Sequence, residues 1–401
     1  MFICMTCMGS VSALAQEARP LALAEALSLA EKQNLDLQAA RALRVVTLAG
    51  VRIAGQRPNP TVFFGALRDT PHESLFFDQP LEIGGRRGKR IELASQEGAL
   101  TEVDIASTAR RIRRSVREAY FGLAFTRRVT AEKLDVAKLA ARLKEIAQAR
   151  YEAGDIPQLE VTQAELELFR ANAEAQVARR EEQIALARLN ALLNEPATIT
   201  WDLASELDNR PQPFSLEELI EKAGNANAEI ARLAQEAKVE QSRTSLLKAE
   251  RIPNLGLEFG VDFNSPGPGG FQEGGRGQLS VELPIFTRNQ GEIAQSSAAL
   301  SAILLESAAK RRAVAGQVES AYYELNARQA EVTLYKQSLV PNTKQLEQLA
   351  EESYKGGKAN ILAVLGAERD VRQVESEYLN SLLAMQTSFA ALEETVGVPL
   401  D

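Results

Sequence analysis

Histidine, cysteine and tryptophan are almost missing from this 401-residue chain, which has one His, two Cys and one Trp. A lone histidine, His72, removes most histidine-dependent chemistry. With Cys4 and Cys7 as the whole cysteine complement, no His/Cys metal cluster can be assembled, and Cys–His or Ser–His nucleophilic arrangements find no support. The "GPGG" run at 267–270 falls in a hairpin loop, so no Gly-rich phosphate loop stands between a strand and a helix. Neither an enzyme nor a cofactor is expected. Basic residues are in deficit, 46 Lys+Arg against 54 Asp+Glu for a formal charge of −8, which argues against a nucleic-acid partner. Long apolar runs are absent as well: nothing downstream of the start has the roughly 18 uninterrupted apolar residues of a membrane-spanning helix. Spanning by strands is not excluded.

The first residues, "MFICMTCMGSVSALAQEA", carry an apolar stretch from Phe2 to Val11 and then Ala13-Leu14-Ala15, the small-x-small pattern of a secretory cleavage site. Residues 1–15 are expected to be a signal peptide, N-terminally incomplete because no Lys or Arg precedes Arg19. The competing reading is a short buried N-terminal helix. Cleavage would leave a mature chain without cysteine, consistent with an oxidising compartment.

What is present is a plan written twice. "RYEAGDI" (150–156) returns as "SYKGGKA" (353–359), with Tyr151 and Tyr354 standing 203 positions apart. Pro196 and Pro399 are also 203 apart, Pro80 and Pro284 are 204 apart, and Pro58 and Pro253 are 195 apart. Most of the change in offset is assigned to a longer, turn-rich loop in "NSPGPGGFQEGGRG". A period near 200 marks a duplicated domain. The first repeat is set at 16–196, with a hairpin near 60–84, a long helix near 87–153 and a tip turn near 154–157. A linker follows at 197–213. The second repeat is set at 214–401, with a hairpin near 254–286, a long helix near 289–355 and a tip turn near 356–360.

From Arg87 to Ala153 no proline occurs, and good helix formers dominate. About 67 residues at 1.5 Å each give a rod of roughly 100 Å. In the second repeat Val314, Val318, Ala321, Leu325, Val332, Tyr335, Leu339, Leu346 and Leu349 keep a 4-3 spacing interrupted by Arg328 and Asn342, the pattern of a coiled-coil seam. Val129, Val136, Leu139, Leu143 and Ile146 match it in the first. Pro341 is expected to kink the second rod.

The strand segments decide what the rods belong to. In "LGLEFGVDF" Leu255, Leu257, Phe259, Val261 and Phe263 alternate with Gly256, Glu258, Gly260 and Asp262. "LSVELPI" does the same, setting Leu279, Val281, Leu283 and Ile285 against Ser280, Glu282 and Pro284. Eight of fourteen phenylalanines lie in the hairpins and none of the seven tyrosines does. Alternation with clustered aromatics is the pattern of outer-membrane barrel strands, although a soluble sandwich strand looks similar. Two hairpins supply four strands. The smallest membrane barrels need eight, and lipid tolerates no open edge, so membrane strands here require several copies. Pro80 and Pro284 are expected to end the ladders, and Gly84 and Gly85 to redirect the chain. Arg86, Arg87, Lys89 and Arg90 read as anchors at the lipid–water boundary.

On the segments "PNPTVFFGA", "QPLEIGGRRGKR", "RYEAGDIPQLEVTQAELEL", "IPNLGLEFG" and "LSVELPIFTRNQGEI", the chain resembles the TolC family of outer-membrane efflux proteins. Within that family it is most similar to the CzcC-type members of heavy-metal export systems. The resemblance covers the mature chain. It implies a mainly α fold with a small β part: a long helical tunnel, and four strands contributed to a trimeric 12-stranded barrel in the outer membrane of a Gram-negative bacterium. It implies a homotrimer in outer-membrane lipid, docked to a periplasmic adaptor and an inner-membrane RND-type pump, acting as a passive conduit for metal cations. By the same resemblance Tyr151, Gly154, Glu160, Tyr354, Gly356, Gly357 and Lys358 mark the periplasmic tips that meet the adaptor. Ala363 and Gly366 stand where many relatives carry aspartate, so a full acidic ring is not carried over. Pro80, Gly84, Gly85, Arg86, Arg87, Pro284, Arg288 and Asn289 mark the strand-to-helix junctions. Glu258, Asp262 and Glu282 are expected to face the lumen, where carboxylates favour cations. The competing reading is a soluble periplasmic coiled-coil scaffold or adaptor with small β-subdomains.

Overall fold

The computed structural model describes residues 18–400 apart from 67, 69–72, 209–210, 212, 268–269, 356–357 and 360. Residues 1–15, expected to be a signal peptide and holding Cys4 and Cys7, together with His72, Gly356 and Gly357, lie outside the described residues.

In chain order the elements are β1 (Arg19–Leu21), α1 (Leu23–Gln33), α2 (Leu35–Ala54), β2 (Thr61–Ala66), β3 (Glu73–Leu81), α3 (Arg86–Glu152), α4 (Gln158–Leu193) and β4 (Trp201–Leu203). They continue with α5 (Leu216–Ala226), α6 (Ala228–Ala249), β5 (Leu255–Gly267), β6 (Gly270–Val281), α7 (Gln290–Leu334), a π turn (Tyr335–Leu339), α8 (Val340–Lys355) and α9 (Ile361–Val396). Residues 264–277, read from the sequence as a long loop, are instead mostly strand. β5 and β6 run on to a pairing of Gly267 with Gly270, with a register irregularity between Asp262 and Ser265. Alternation is not required where Gly, Ser and Gln supply backbone pairing without apolar side chains.

Three rows of four elements stack along the molecule. The sheet has the order β2-β3-β5-β6, antiparallel throughout. Each strand continues into, or out of, one helix, and beneath the sheet α2, α3, α6 and α7 pack in that same order. Toward the tips the row becomes α4, α3, α9 and α8. Every row therefore ends in two open edges: β2, α2 and α4 on one side, and β6, α7 and α8 on the other.

A single core at the middle of the rods joins the repeats. Tyr120, Phe121, Leu123, Leu189, Leu325, Leu382, Met385 and Leu392 are fully buried there. The short parallel pair β1–β4 closes over it, with the Tyr120 hydroxyl donating to the Leu21 carbonyl at 2.8 Å. Two asparagine caps occupy matching places in the two halves of the chain. Asn34 Oδ1 accepts from Leu37 N (3.1 Å) at the start of α2, while its Nδ2 donates to Leu192 O (2.9 Å) at the end of α4. Asn227 does the same for α6 and α9, accepting from Ile230 N (3.3 Å) and donating to Thr395 O (2.7 Å). A cap of this kind contributes about 1 kcal/mol, and here it also ties a helix start to a helix end.

The seams differ from the 4-3 reading below the core. Val314, Val318, Leu325 and Val332 are buried, but Leu339, Leu346 and Leu349 are exposed. The π turn sits between these groups, just before Pro341. One extra residue in the turn accommodates the missing amide and ring of proline. It also rotates the remaining seam out of the chain's own core. In the first repeat Val136 is buried while Ile146 is exposed, and the contact between α3 and α4 is made by alanines: Ala137, Ala140 and Ala147 with Ala164, Ala171, Ala175 and Ala178. Small residues let the two antiparallel helices approach closely.

Candidate channel surfaces and junctions

The sheet is turned inside out relative to a soluble protein. Cross-strand partners share a face, and the register places Val62, Phe77, Phe259 and Gly277 on one face, with Phe64, Leu75, Leu257, Val261, Leu279 and Val281. On this face Val62, Phe64, Leu257, Phe259 and Leu279 are exposed. The opposite face holds Ser74, Phe76, Asp78, Glu258, Asp262, Arg276 and Gln278, several of them half-buried or buried. No helix makes extensive contact with the sheet among the described residues. A contiguous apolar face of this extent marks contact with lipid or another protein.

Of the three acids expected on the polar face, the structure brings two together. Glu258 and Asp262 flank Arg276, at 3.8 and 4.0 Å. Glu282 lies past the end of β6 and is exposed outside the ladder. Arg276 was not legible in the sequence, because it falls in the glycine-rich stretch read as loop. Its guanidinium lies 4.1 Å over the Phe76 ring. Gly260, in register between Phe76 and Arg276, leaves the space in which that ring lies flat. Asp78 is the register partner of Glu258, so two carboxylates stand side by side with one guanidinium nearby.

The junctions share one device. α3 and α7 each start from a left-handed residue, Gly85 at φ 75° and Asn289 at φ 52°. Gly84 is also left-handed, and a Cβ there would overlap the Ile252 side chain. Pro80 does not end β3. The strand runs to Leu81, and Pro80 stays in register with Gly256 at a height where β2, whose first pair is Thr61 with Asp78, has already ended. Pro284 lies beyond β6.

The arginines of the first junction are internal clamps more than solvated anchors. Arg86 donates to the Asn254 side chain (2.7 Å), to Glu250 O (2.8 Å) and to Ile252 O. Arg87 donates to Gly55 O (2.6 Å), and Arg90 to Ala54 O (3.2 Å), Gln56 O (3.1 Å) and the Glu82 carboxylate. They satisfy the last carbonyls of α2 and α6, where the helix dipole favours cations. The Arg90 hydrogen bond holds Glu82 below the usual carboxylate range.

At the first tip Gly154 is left-handed (φ 82°), and its amide donates to Tyr151 O at 2.9 Å. Tyr151 is exposed, and Ile156 folds back onto Ala147 and Ala164. Glu160 sits in the first turn of α4, where an acid complements the dipole. At the second tip Lys358 N donates to Ser353 O at 2.8 Å and the Lys358 side chain is exposed; Tyr354 lies in the last turn of α8. Above the tips a line of carboxylates runs between α3, α4, α8 and α9. Glu132, Glu347 and Glu368 are each pushed above the usual range, first by burial, and then by Glu375 at Glu132 and by Glu351 at Glu347. Arg372 opposes the shift of Glu368 and bridges to Glu167 at 3.3 Å. A carboxylate with a raised folded-state pKa costs stability when ionised. That cost fades as pH falls through the raised value.

A sheet with its apolar face outward, carried on rods far longer than a soluble domain needs, defines a channel wall segment of the outer-membrane efflux class. Comparison agrees: the chain matches the family described as "Outer membrane efflux protein" over residues 26–195 and 219–398, and it belongs to that family. It is 27% identical over 390 residues to the cobalt-zinc-cadmium resistance protein CzcC of Cupriavidus metallidurans, covering 95% of this chain and 91% of the relative. To the nickel-cobalt-cadmium resistance protein NccC of Alcaligenes xylosoxydans xylosoxydans it is 28% identical over 251 residues, 60% of this chain and 55% of the relative. Among solved structures it resembles a membrane protein from Pseudomonas aeruginosa (TM-score 0.77, 17% identity, 94% of this chain and 92% of that one). It also resembles the outer membrane protein VceC of Vibrio cholerae (TM-score 0.75, 17% identity, 94% and 97%). The protein is an outer-membrane efflux channel that extends into the periplasm.

Proposed function

We propose that three copies close head to tail into one conduit: a 12-stranded barrel above a helical tunnel, which carries heavy-metal cations outward without changing them. The carrying observation is the set of open edges. In all three rows they fall on the same two sides, and the exposed large apolar residues of the rods gather on the edge helices. Leu43, Val45, Val46 and Ile53 lie on α2, and Leu304 and Leu305 on α7. Leu166, Phe169, Val177 and Ile184 lie on α4, and Leu346 and Leu349 on α8. Head-to-tail contact of unlike edges makes a ring when the rotation closes. The strands alternate in direction, so β6 of one copy meets β2 of the next antiparallel, and lipid is left no open edge. The π turn supports the same reading, since it moves the apolar seam from the chain's own core to the α8 edge. Without native cysteines in the mature chain, Leu166→Cys with Leu346→Cys is expected to give disulfide-linked oligomers up to a trimer. Cross-linking only within single chains would overturn the ring.

The metal reading is supported by the resistance proteins to which the chain is similar. Upstream, a periplasmic adaptor docking at the tip residues Tyr151, Gly154, Glu160, Tyr354, Gly356, Gly357 and Lys358, and an RND-type pump beneath it, complete the export system. In the lumen Glu258, Asp78 and Asp262 set a cation preference that Arg276 partly offsets. Across a planar bilayer with a cadmium chloride gradient, the reversal potential is expected on the cation side. Arg276→Gln should move it further that way, and Glu258→Lys back toward chloride. A chloride-selective wild type would remove the cation conduit.

A further inference from the structure

At the second junction lies an open groove of about 460 Å³ lined by Arg251, Pro253, Leu283, Pro284, Ile285 and Arg288. Resting on the channel reading above, we infer that this groove holds the phosphate of an anionic phospholipid from the periplasmic leaflet of the outer membrane.

The argument begins with a difference between the repeats. At the first junction Arg86, Arg87 and Arg90 are used up on carbonyls and on Glu82. At the second, Arg251 has no ion pair and no side-chain hydrogen bond among the described residues, and the Arg288 side chain donates there only from Nε, to Pro284 O at 3.0 Å. Both are exposed, and among the described residues neither pairs with the neighbouring carboxylates Glu282 and Glu250, the latter facing the Asn289 amide at 3.5 Å. Two exposed guanidinium groups without an ion pair, lining one groove in a chain of net charge −8, offer an anion their unbonded N–H donors.

The walls say which anion. Leu283 and Ile285 lie past the last ladder pair of β6, on the two sides of a tight turn in which Ile285 N donates to Leu283 O at 2.9 Å, and they are exposed at 66% and 64%. Phe286, next in sequence, is exposed at 90%, the largest value among the apolar side chains described. Exposed apolar side chains beside a pair of arginines match a lipid in two parts, acyl chain on the one and phosphodiester on the other. A soluble phosphate would have no use for the apolar walls. Arg57 lies on the opposite edge of the sheet, four residues before β2, and Pro58 is tied to Gln79 by a 3.2 Å hydrogen bond near the end of β3. In the closed ring the next copy's Arg57 thus arrives at the height of the groove and adds a third cation.

The full mature protein, purified in detergent, is titrated with phosphatidylglycerol and separately with phosphatidylcholine, and bound lipid is counted by native mass spectrometry. Phosphatidylglycerol is expected to bind about 30-fold more tightly, the factor two arginines supply at an anionic surface. Arg251→Gln/Arg288→Gln should reduce that preference to within about threefold of unity while the oligomer is recovered in normal yield. Phe286→Ala should weaken both lipids equally. Equal binding of the two lipids by the wild type, or a preference that survives the double substitution, overturns the inference. Competition by millimolar inorganic phosphate as effective as that by the lipid also overturns it, since the site would then be a simple anion site. If the wild type yields no oligomer at all, the channel reading fails instead, and the two failures are distinguishable.

Discussion

Gly260→Val is expected to leave no detectable oligomer in the outer membrane, a loss of at least about tenfold against the wild type. A Cβ at this position would overlap the Leu75 carbonyl oxygen and lie 2.9 Å from Phe76 Cα, so the obstruction is backbone and no rotamer relieves it. The position is also the worst one at which to open the sheet. β3 and β5 are the strands that join the two hairpins, and their ladder from Glu73–Phe263 to Leu81–Leu255 passes through the Phe76–Gly260 pair. Parting them separates the hairpins and opens a new pair of unsatisfied edges, β3 and β5, which lipid does not tolerate. The effect reaches the polar face too, because Phe76 supports the Arg276 guanidinium. Gly277→Val is the control. It lies on the outward apolar face with nothing within 4 Å of a Cβ, and it should assemble normally. Outer-membrane fractionation with heat-modified electrophoresis separates the outcomes. Normal assembly of Gly260→Val would show that the β3–β5 seam does not hold the wall together.

The strands and the rods were legible because each rests on a pattern: a period of two for the strands, and a proline-free helical run for α3. What the sequence hid is local exchange between unlike residues. The extension of β5 and β6 carries glycines where apolar alternation would be expected, so Arg276 looked like part of a loop although it sits at the centre of the polar face. The seam below the core is alanine in one repeat and, in the other, is turned outward by the π turn. Neither change alters the count of apolar residues on which a 4-3 pattern is judged. Arg86, Arg87 and Arg90 illustrate the same limit. A run of cations after a strand reads as an anchor in water, and only the fold reveals that the ends of α2 and α6 arrive there with free carbonyls. Asn34 and Asn227, which pin helix ends in both repeats, are single polar residues without a pattern.

The second large effect lies in the equatorial core, far from the barrel. Glu393 is 7% exposed and is shared by two arginines: Arg113, which bonds through Nε, and Arg117, which is 4% exposed and 3.3 Å away. Arg117 also lies 4.6 Å over the Phe389 ring. The carboxylate on α9 thus holds α3 of the other repeat. Removing one member of a buried charge cluster costs far more than the cluster's net contribution, because the remaining charge stays out of water. Glu393→Leu is therefore expected to destabilise the protein by about 3–5 kcal/mol. Glu394→Gln, one residue on, loses an Arg114 pair whose members are about one-third exposed, and should cost no more than about 1 kcal/mol. Denaturant unfolding followed by far-UV circular dichroism would read the difference, and a similar loss for both variants would mean that burial does not set the strength of this cluster. The position has a structural logic. The equator is the place where α3 passes from the upper row to the lower and α9 ends beside it, so a charge cluster demanding one geometry fixes the register between the two helices where apolar packing alone would permit the rods to slide.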